Sequence, residues 1–141
     1  MTDQKAVEEI LEFVWTQREA GKDSIADLLN IKEVKDANAD MTVLQALEND
    51  GLVHIKGDQI ILATKGEKLA EITVRRHRLA ERLLTEVLDI EEKAIEENAC
   101  SFEHSLSPLV TDSICTLLGH PPTCPHGLLI PRGECCKKFK V

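Results

Sequence analysis

The 141-residue chain lacks any long apolar stretch, and its first residues lack the apolar segment of a secretory signal. A membrane-spanning helix needs about 20 consecutive, mostly apolar residues, and a secretory signal needs an apolar region behind a basic start. We therefore exclude a membrane-spanning protein and expect a cytoplasmic one with no membrane partner. In that compartment the five cysteines are expected to be thiols or metal ligands rather than disulfides.

Net positive charge is lacking as well, because the formal net charge at pH 7 is −8. That balance argues against broad, nonspecific binding to nucleic acids, but it allows a local basic face. Basic residues do cluster in one run, Arg75-Arg76-His77-Arg78. The hydrophobic fraction of 43% is ordinary for a globular protein. The chain can bury one sizeable core or two small modules.

Helical periodicity and a hairpin pattern organise the first half of the chain. Apolar residues recur at helical spacing in three segments, near residues 3–19, 24–30 and 41–49, and a polar stretch separates the second from the third. Two short β-rich runs then flank Gly57-Asp58, which predicts a hairpin. This is the element order of a winged helix-turn-helix, with the second and third helices as the helix-turn-helix pair and the hairpin as the wing.

The second half is predicted to be helical up to about Gly119. A long helix should begin at Thr64, where Glu67 completes a capping-box pattern, and end near Leu88. A shorter helix near residues 91–99 and another ending at Gly119 should follow. We therefore predict a mainly α fold with three parts: a winged helix-turn-helix DNA-binding domain at residues 1–63, a helical domain at residues 64–122, and an irregular, Cys-rich tail at residues 123–141.

Ligand-type side chains occur together at Cys100, Glu103 and His104. The spacing i, i+3, i+4 puts them on one face of a helix. Thiolate, carboxylate and imidazole together suit a borderline divalent transition metal better than magnesium or calcium. His77 and Glu81 form a second pair of ligand types at i, i+4. The alternative is a solvated helix face, with Cys100 as a small buried apolar residue.

Four further ligand types occur in the tail, namely Cys124, His126, Cys135 and Cys136. They could form a separate zinc or iron–sulfur site, act as exposed thiols in a metal relay or redox sensor, or belong to a purely structural tail. Adjacent cysteines bind one metal awkwardly, and the spacing is not a standard zinc-ribbon pattern. Cys115, in an apolar helical segment, is expected in the core.

The chain from Thr64 onward resembles the diphtheria toxin repressor and manganese transport regulator family of metal-dependent transcriptional regulators. The resemblance rests on the order and spacing of four segments: residues 74–84, 99–104, 118–121 and 124–131. It implies a homodimer in which the helical domain serves dimerisation and metal binding. It also implies the two-domain form, without an SH3-like domain.

The resemblance also implies roles for individual residues. It assigns Cys100, Glu103 and His104 to the family's primary metal site and His77, Glu81 and Glu96 to its other site, and it makes Glu9 and Glu12 the ligands from the first helix. Carboxylates in the first helix are typical of manganese-type members, whereas a thiolate favours iron(II). We therefore expect iron(II), with manganese(II) as the alternative.

The implied function is a repressor of metal-homeostasis genes, in which metal binding fixes the dimer in the arrangement that binds a double-stranded DNA operator. Candidate DNA contacts are Asn38, Thr42 and Gln45, with Lys35 and Lys56 toward phosphates. The predicted recognition helix, residues 39–50, contains no Lys or Arg. The alternative is therefore a dimeric metal-binding or iron-handling protein of the same fold that has lost operator recognition.

An enzyme is not expected, because no oxyanion-hole loop or nucleophile motif accompanies the Cys, His and Glu cluster. For the same reason we expect no small organic substrate.

Overall fold

The computed structural model describes residues 4–138, without the side chain of Lys138. The chain divides into two compact units, Met1–Glu71 and Ile72–Val141. Helices predominate and the single described sheet has two strands, so the prediction of a mainly α fold is confirmed. Among the described residues, every helix is too short or too polar to cross a membrane.

The first unit has the element order of a winged helix-turn-helix, as predicted. Its elements are α1 (Gln4–Glu19), α2 (Ile25–Leu29), α3 (Lys32–Asp36), α4 (Met41–Asn49), β1 (Val53–Lys56), β2 (Gln59–Leu62) and the beginning of α5 (Thr64–Glu86). The core of this unit consists of fully buried aliphatic side chains from the helices and both strands: Ile10, Leu11, Leu28, Val34, Leu44, Leu47, Val53 and Ile60. The periodic apolar positions of the sequence thus form one core.

The helix α3 corrects the prediction of a polar stretch between residues 32 and 40. Val34 is its one apolar side chain and is completely buried in the core of the first unit. A five-residue helix with a single buried side chain has no periodic apolar pattern. The helix-turn-helix therefore contains an additional short helix between α2 and α4.

Side-chain caps fix the beginnings of α2 and α4. The Ser24 hydroxyl accepts a hydrogen bond from the Asp27 N–H at 3.1 Å. The Asp40 carboxylate accepts one from the Val43 N–H at 3.0 Å. Each cap satisfies a backbone donor that the helix leaves without a partner.

The wing is a tight antiparallel hairpin, as predicted. Val53 lies opposite Leu62 and Lys56 opposite Gln59, with Gly57 in the turn at a φ of +61°. The side chain of Glu48 accepts a hydrogen bond from the Ile55 N–H at 2.7 Å. The last turn of α4 is therefore tied directly to the first strand of the wing.

The beginning of α5 differs from the predicted capping box. The Glu67 carboxylate accepts hydrogen bonds from the Arg18 guanidinium at 2.6 and 2.8 Å. Gly66 lies against the backbone of Leu52, and an added Cβ would stand 1.8 Å from the Leu52 carbonyl oxygen. Only glycine permits this close approach.

The second unit contains the rest of α5, α6 (Glu92–Glu103), α7 (Pro108–Leu117) and a 3₁₀ turn, η1 (Glu134–Lys138). The helix α6 is longer than predicted and contains Cys100 and Glu103, with His104 as its C-cap. The helix α7 begins at the Ser107 cap, whose hydroxyl accepts from the Val110 N–H at 3.2 Å.

The segment after residue 122 is more ordered than the predicted irregular tail. Thr123 pairs with Leu129 in an isolated β-bridge, and η1 follows. Cys124, Ile130 and Cys136 are buried together with Leu79 of α5. These residues therefore belong to the core of the second unit.

Candidate metal centre

The helix α5 presents His77 and Glu81 one turn apart, which is the spacing that places both side chains on one face. Both are buried, with 7% and 3% of their surface exposed. Titratable side chains are seldom buried unless they are paired or bound to a cation. Their burial side by side therefore marks this face of α5 as a ligand-type surface.

Carboxylates face both ring nitrogens of His77. The Nδ1 atom lies 2.9 Å from Oε1 of Glu103, and the Nε2 atom lies 3.3 Å from Glu96 and 3.6 Å from Oε1 of Glu81. The ligand atoms of His77, Glu81 and Glu96 all lie within 4.8 Å of one another. The structure thus brings together the three side chains that the resemblance assigned to one site.

The carboxylates around His77 have opposite electrostatic environments. Burial raises the pKa of Glu81; His77 opposes this shift and Glu96 adds to it. A hydrogen bond with His77 lowers the pKa of Glu96, although burial acts in the opposite direction. Burial therefore disfavours the ionised form of Glu81, whereas the hydrogen bond with His77 favours the ionised form of Glu96.

Glu103 is the most unusual side chain of the cluster. It is completely buried, and its Oε2 atom has no hydrogen-bond partner among the described residues. A buried carboxylate oxygen without a donor is unfavourable, by about 1–3 kcal/mol or more for a charged group. A cation is the natural partner for such an oxygen.

Cys100 and His104 lie beside Glu103 on α6. The Cys100 sulfur and a ring nitrogen of His104 are within 4.8 Å of each other, and His104 Nε2 is 3.9 Å from Oε1 of Glu103. Glu103 is turned toward His77, so the triplet and the His77 cluster are contiguous. Nitrogen, oxygen and sulfur ligands together fit a borderline divalent transition metal such as iron(II).

The segment after α7 adds His126 and Cys124 to Glu81. His126 lies 3.0 Å from Oε2 of Glu81 and 2.9 Å from Oε1 of Glu92, and the Cys124 sulfur is within the same 4.8 Å group as Glu81 and His126. A hydrogen bond with Glu92 raises the pKa of His126.

The structure separates the four tail ligands that the sequence grouped together. Cys124 and His126 lie with Glu81, whereas Cys135 and Cys136 lie with Cys115 and His120. Sequence reasoning assigned Cys115 to the core and gave His120 no role. The five-residue spacing between them, with a glycine before the histidine, was the signal that could have indicated a pair.

The remaining candidate residues lie in the first unit. Glu9 and Glu12 are on α1, three residues apart. The candidate DNA contacts Lys35, Asn38, Thr42, Gln45 and Lys56 are all exposed. The predicted recognition helix, residues 39–50, contains three acidic residues: Asp40, Glu48 and Asp50. Two of them have structural roles, because Asp40 caps α4 and Glu48 accepts a hydrogen bond from the wing.

Comparison with protein families identifies residues 63–132 as an iron dependent repressor, metal binding and dimerisation domain. The iron-dependent repressor IdeR of Mycobacterium tuberculosis strain H37Rv is 40% identical over 86 residues, which are 60% of this chain and 37% of that protein. The diphtheria toxin repressor of Corynebacterium diphtheriae is 36% identical over 86 residues, again 60% of this chain and 38% of that protein. The chain thus spans less than two fifths of these relatives.

Solved structures extend the likeness to the first unit. The manganese regulator SloR matches with a TM-score of 0.77 and 30% identity, over 94% of this chain and 61% of that one. A manganese-dependent transcriptional repressor in complex with manganese matches with a TM-score of 0.77 and 27% identity, over 91% of this chain and 59% of that one. Residues 63–132 therefore belong, as a metal binding and dimerisation domain, to the diphtheria toxin repressor family of metal-dependent regulators.

Proposed function

We propose that this chain is a metal-dependent, DNA-binding transcriptional regulator that represses metal-homeostasis genes in the cytoplasm. The observation that carries the proposal is the buried Glu103 carboxylate, shared between the His77 cluster and the Cys100–His104 pair. Such a group of titratable side chains is costly in a metal-free protein and favourable around a cation. The exposed α4 and wing of the first unit supply the surface that would bind DNA.

The chain's own residues would couple the two events. His77, Glu81 and Glu96 hold one set of ligand atoms, while Cys100 and His104 hold another beside Glu103. A bound divalent cation supplies positive charge that balances these carboxylates, of which Glu81 and Glu103 are buried. Metal shifts the equilibrium toward the DNA-binding arrangement only if it binds that arrangement more tightly than the other arrangements of the chain. Glu9 and Glu12, on α1 of the DNA-binding unit, stay predicted ligands.

Iron(II) is the proposed metal, with manganese(II) as the alternative. The Cys100 sulfur is a soft ligand, and soft thiolates favour iron(II) over manganese(II). The variant Cys100→Ser should therefore weaken iron(II) binding more than manganese(II) binding. Anaerobic titrations of both metals into the wild type and this variant would measure the ratio, and an unchanged ratio would remove the argument for iron.

A homodimer is the proposed assembly. Large apolar side chains are exposed in the second unit, among them Leu109 and Leu117, with 77% and 66% of their surface accessible. These two residues are eight apart on α7 and share one face of the helix. A self-complementary contact between two copies would cover them.

The proposed function is tested by an anaerobic gel-shift titration, using DNA from upstream of the protein's own gene. We expect binding only in the presence of iron(II) or manganese(II), and loss of that dependence in Glu103→Gln. Glu97→Gln, which changes an exposed glutamate of the same helix, is the matched control and should behave like the wild type. Equal DNA affinity with and without metal would refute the proposal.

The second candidate is a dimeric metal-binding protein that has lost operator recognition. It is favoured by one observation: the recognition helix α4 contains no Lys or Arg to contact phosphates. In that case calorimetry would show metal binding that depends on Glu103, while no DNA shift would occur at any metal level.

A further inference from the structure

Four ligand-type side chains meet in the second unit at a place distinct from the His77 cluster. Cys115 comes from the last turn of α7, His120 from the turn that follows, and Cys135 and Cys136 from η1. All three cysteines are free thiols. We propose that Cys115, His120, Cys135 and Cys136 form a structural zinc(II) site.

Five of the six distances between the four ligand atoms are close to those of a tetrahedron around one zinc ion, and the sixth is at most 4.8 Å. With Zn–S at about 2.3 Å and Zn–N at about 2.0–2.1 Å, tetrahedral geometry requires about 3.8 Å between two sulfurs and about 3.6 Å between sulfur and nitrogen. The Cys115–Cys136 and Cys135–Cys136 sulfur distances are 3.5 and 3.8 Å. The distances from His120 Nδ1 to the sulfurs of Cys115, Cys135 and Cys136 are 3.4, 3.7 and 3.6 Å.

These short distances favour a single metal ion over an iron–sulfur cluster. All four ligand atoms lie within 4.8 Å of one another, which leaves room for one ion between them but not for several irons with bridging sulfides. Adjacent cysteines usually bind one metal awkwardly. Here η1 folds Cys135 and Cys136 into a 3₁₀ turn, so both sulfurs lie close to Nδ1 of His120.

The burial of the ligand side chains indicates a structural rather than a catalytic zinc site. Cys115, Cys136 and His120 have only 1%, 5% and 6% of their surface exposed. Four protein ligands without an open position are typical of structural zinc, whereas a catalytic zinc keeps one position for water or substrate. The site would fasten the segment after α7 to the core of the second unit.

Arg75 completes the surroundings of the site. Its Nη2 atom donates to the Cys135 sulfur at 3.2 Å, and its Nη1 atom lies 3.0 Å from Asp112. Three thiolates and one zinc(II) carry a net charge of −1, which the guanidinium balances. Gly133 leaves room for this contact, since an added Cβ would stand 2.4 Å from Cζ of Arg75.

The site is independent of the regulatory metal, so the two proposals can fail separately. The full chain is to be purified under reducing conditions without added metal, and its zinc content measured by elemental mass spectrometry. We expect one tightly held zinc per chain, retained in Cys124→Ser and Cys100→Ser. These variants remove a buried thiol and a regulatory ligand that lie outside the tetrahedron. The zinc should be lost in Cys135→Ser and Cys136→Ser.

Cobalt(II) supplies a readout for variants that fold poorly without zinc. Replacing zinc with cobalt should give the intense visible absorption of a tetrahedral cobalt–thiolate centre, and His120→Cys should shift that absorption while retaining the metal. Zinc content unchanged in both Cys135→Ser and Cys136→Ser would overturn the site. So would a disulfide among these cysteines in anaerobically isolated protein, and iron at the same four ligands would overturn the choice of zinc.

Discussion

At the scale of single residues, two carboxylates of the candidate metal centre, Glu81 and Glu103, are buried at a cost in free energy. Glu103 is completely buried, and Glu81 has 3% of its surface exposed. Burial raises the pKa of Glu81, with His77 opposing and Glu96 reinforcing the shift. Ionised Glu81 therefore destabilises the metal-free protein. This penalty is absent below the pKa of the unfolded chain and grows as the pH rises through the higher pKa of the folded state.

We expect Glu81→Gln to stabilise the metal-free protein at about pH 7, because the variant removes the penalty for burying a charge. The gain should shrink as the pH falls toward about 5, where more of the wild-type Glu81 is protonated. Urea unfolding with a chelator at both pH values measures the difference. Glu97→Gln changes an exposed glutamate and should have little effect at either pH. A gain independent of pH would contradict the assignment.

The sequence predicted groups of candidate ligands that lie close together along the chain better than groups whose members are far apart along it. The pair His77 and Glu81 follows from the helical period alone, and so does the helix that contains Cys100 and Glu103. The contact between His77 and Glu103 joins side chains 26 positions apart, so no local pattern could indicate it. Cys115 appeared apolar for the same reason, since its partners Cys135 and Cys136 lie about twenty residues away.

At the scale of secondary-structure elements, the beginning of α5 depends on one glycine. Gly66→Ala should destabilise the first unit by about 1–3 kcal/mol or more, because the new methyl group would overlap the Leu52 backbone rather than a flexible side chain. Chemical denaturation would measure the loss. Glu71→Ala, an exposed change on the same helix, is the control. A stability equal to that of the wild type would mean that the two backbones can separate at little cost.

The proposed recognition helix α4 would offer uncharged polar side chains to DNA. Gln45 is exposed in the middle of α4, and a good base contact discriminates by about 1–3 kcal/mol. We expect Gln45→Ala to weaken operator binding about tenfold or more while metal affinity stays unchanged. Fluorescence anisotropy with the metal-loaded protein measures the first quantity and calorimetry the second. Unchanged operator affinity would exclude Gln45 as a contact and favour the protein without operator recognition.

Hairpins and long amphipathic helices were predictable from sequence, whereas short helices were not. The wing follows from two β-rich runs around a glycine turn, and the structure pairs them in a continuous register from Val53–Leu62 to Lys56–Gln59. By contrast, α3 has only Val34 on its buried side, and one apolar residue among four polar ones gives no period to detect. The contact between the Glu48 carboxylate and the Ile55 N–H, which holds the wing, was likewise not predictable from a local pattern.

At the scale of the whole molecule, the chain divides into two compact units, and most of the matched metal binding and dimerisation domain, residues 63–132, belongs to the second. Exposed leucines on α7 are the feature of the second unit that its own core does not explain. Single exposed apolar residues are ordinary, but two large ones on one helix face indicate an interface.

We expect Leu117→Glu to convert the proposed dimer to a monomer, since it would place a charge in an apolar contact. Leu117→Met keeps the apolar character and should leave the dimer intact. Analytical ultracentrifugation at several protein concentrations distinguishes the two states. If both variants sediment like the wild type, Leu117 lies outside the dimer contact.

The imidazole of His77, held between acceptors at both nitrogens, has a calorimetric consequence. Where Glu103 and Glu96 are both ionised they can only accept hydrogen bonds, and both ring nitrogens of His77 then carry a proton. A nitrogen that binds a cation must first give up its proton. Each metal taken up at His77 should therefore release about one proton to the buffer. The observed heat should then change with the ionisation enthalpy of the buffer, with a slope that counts the protons.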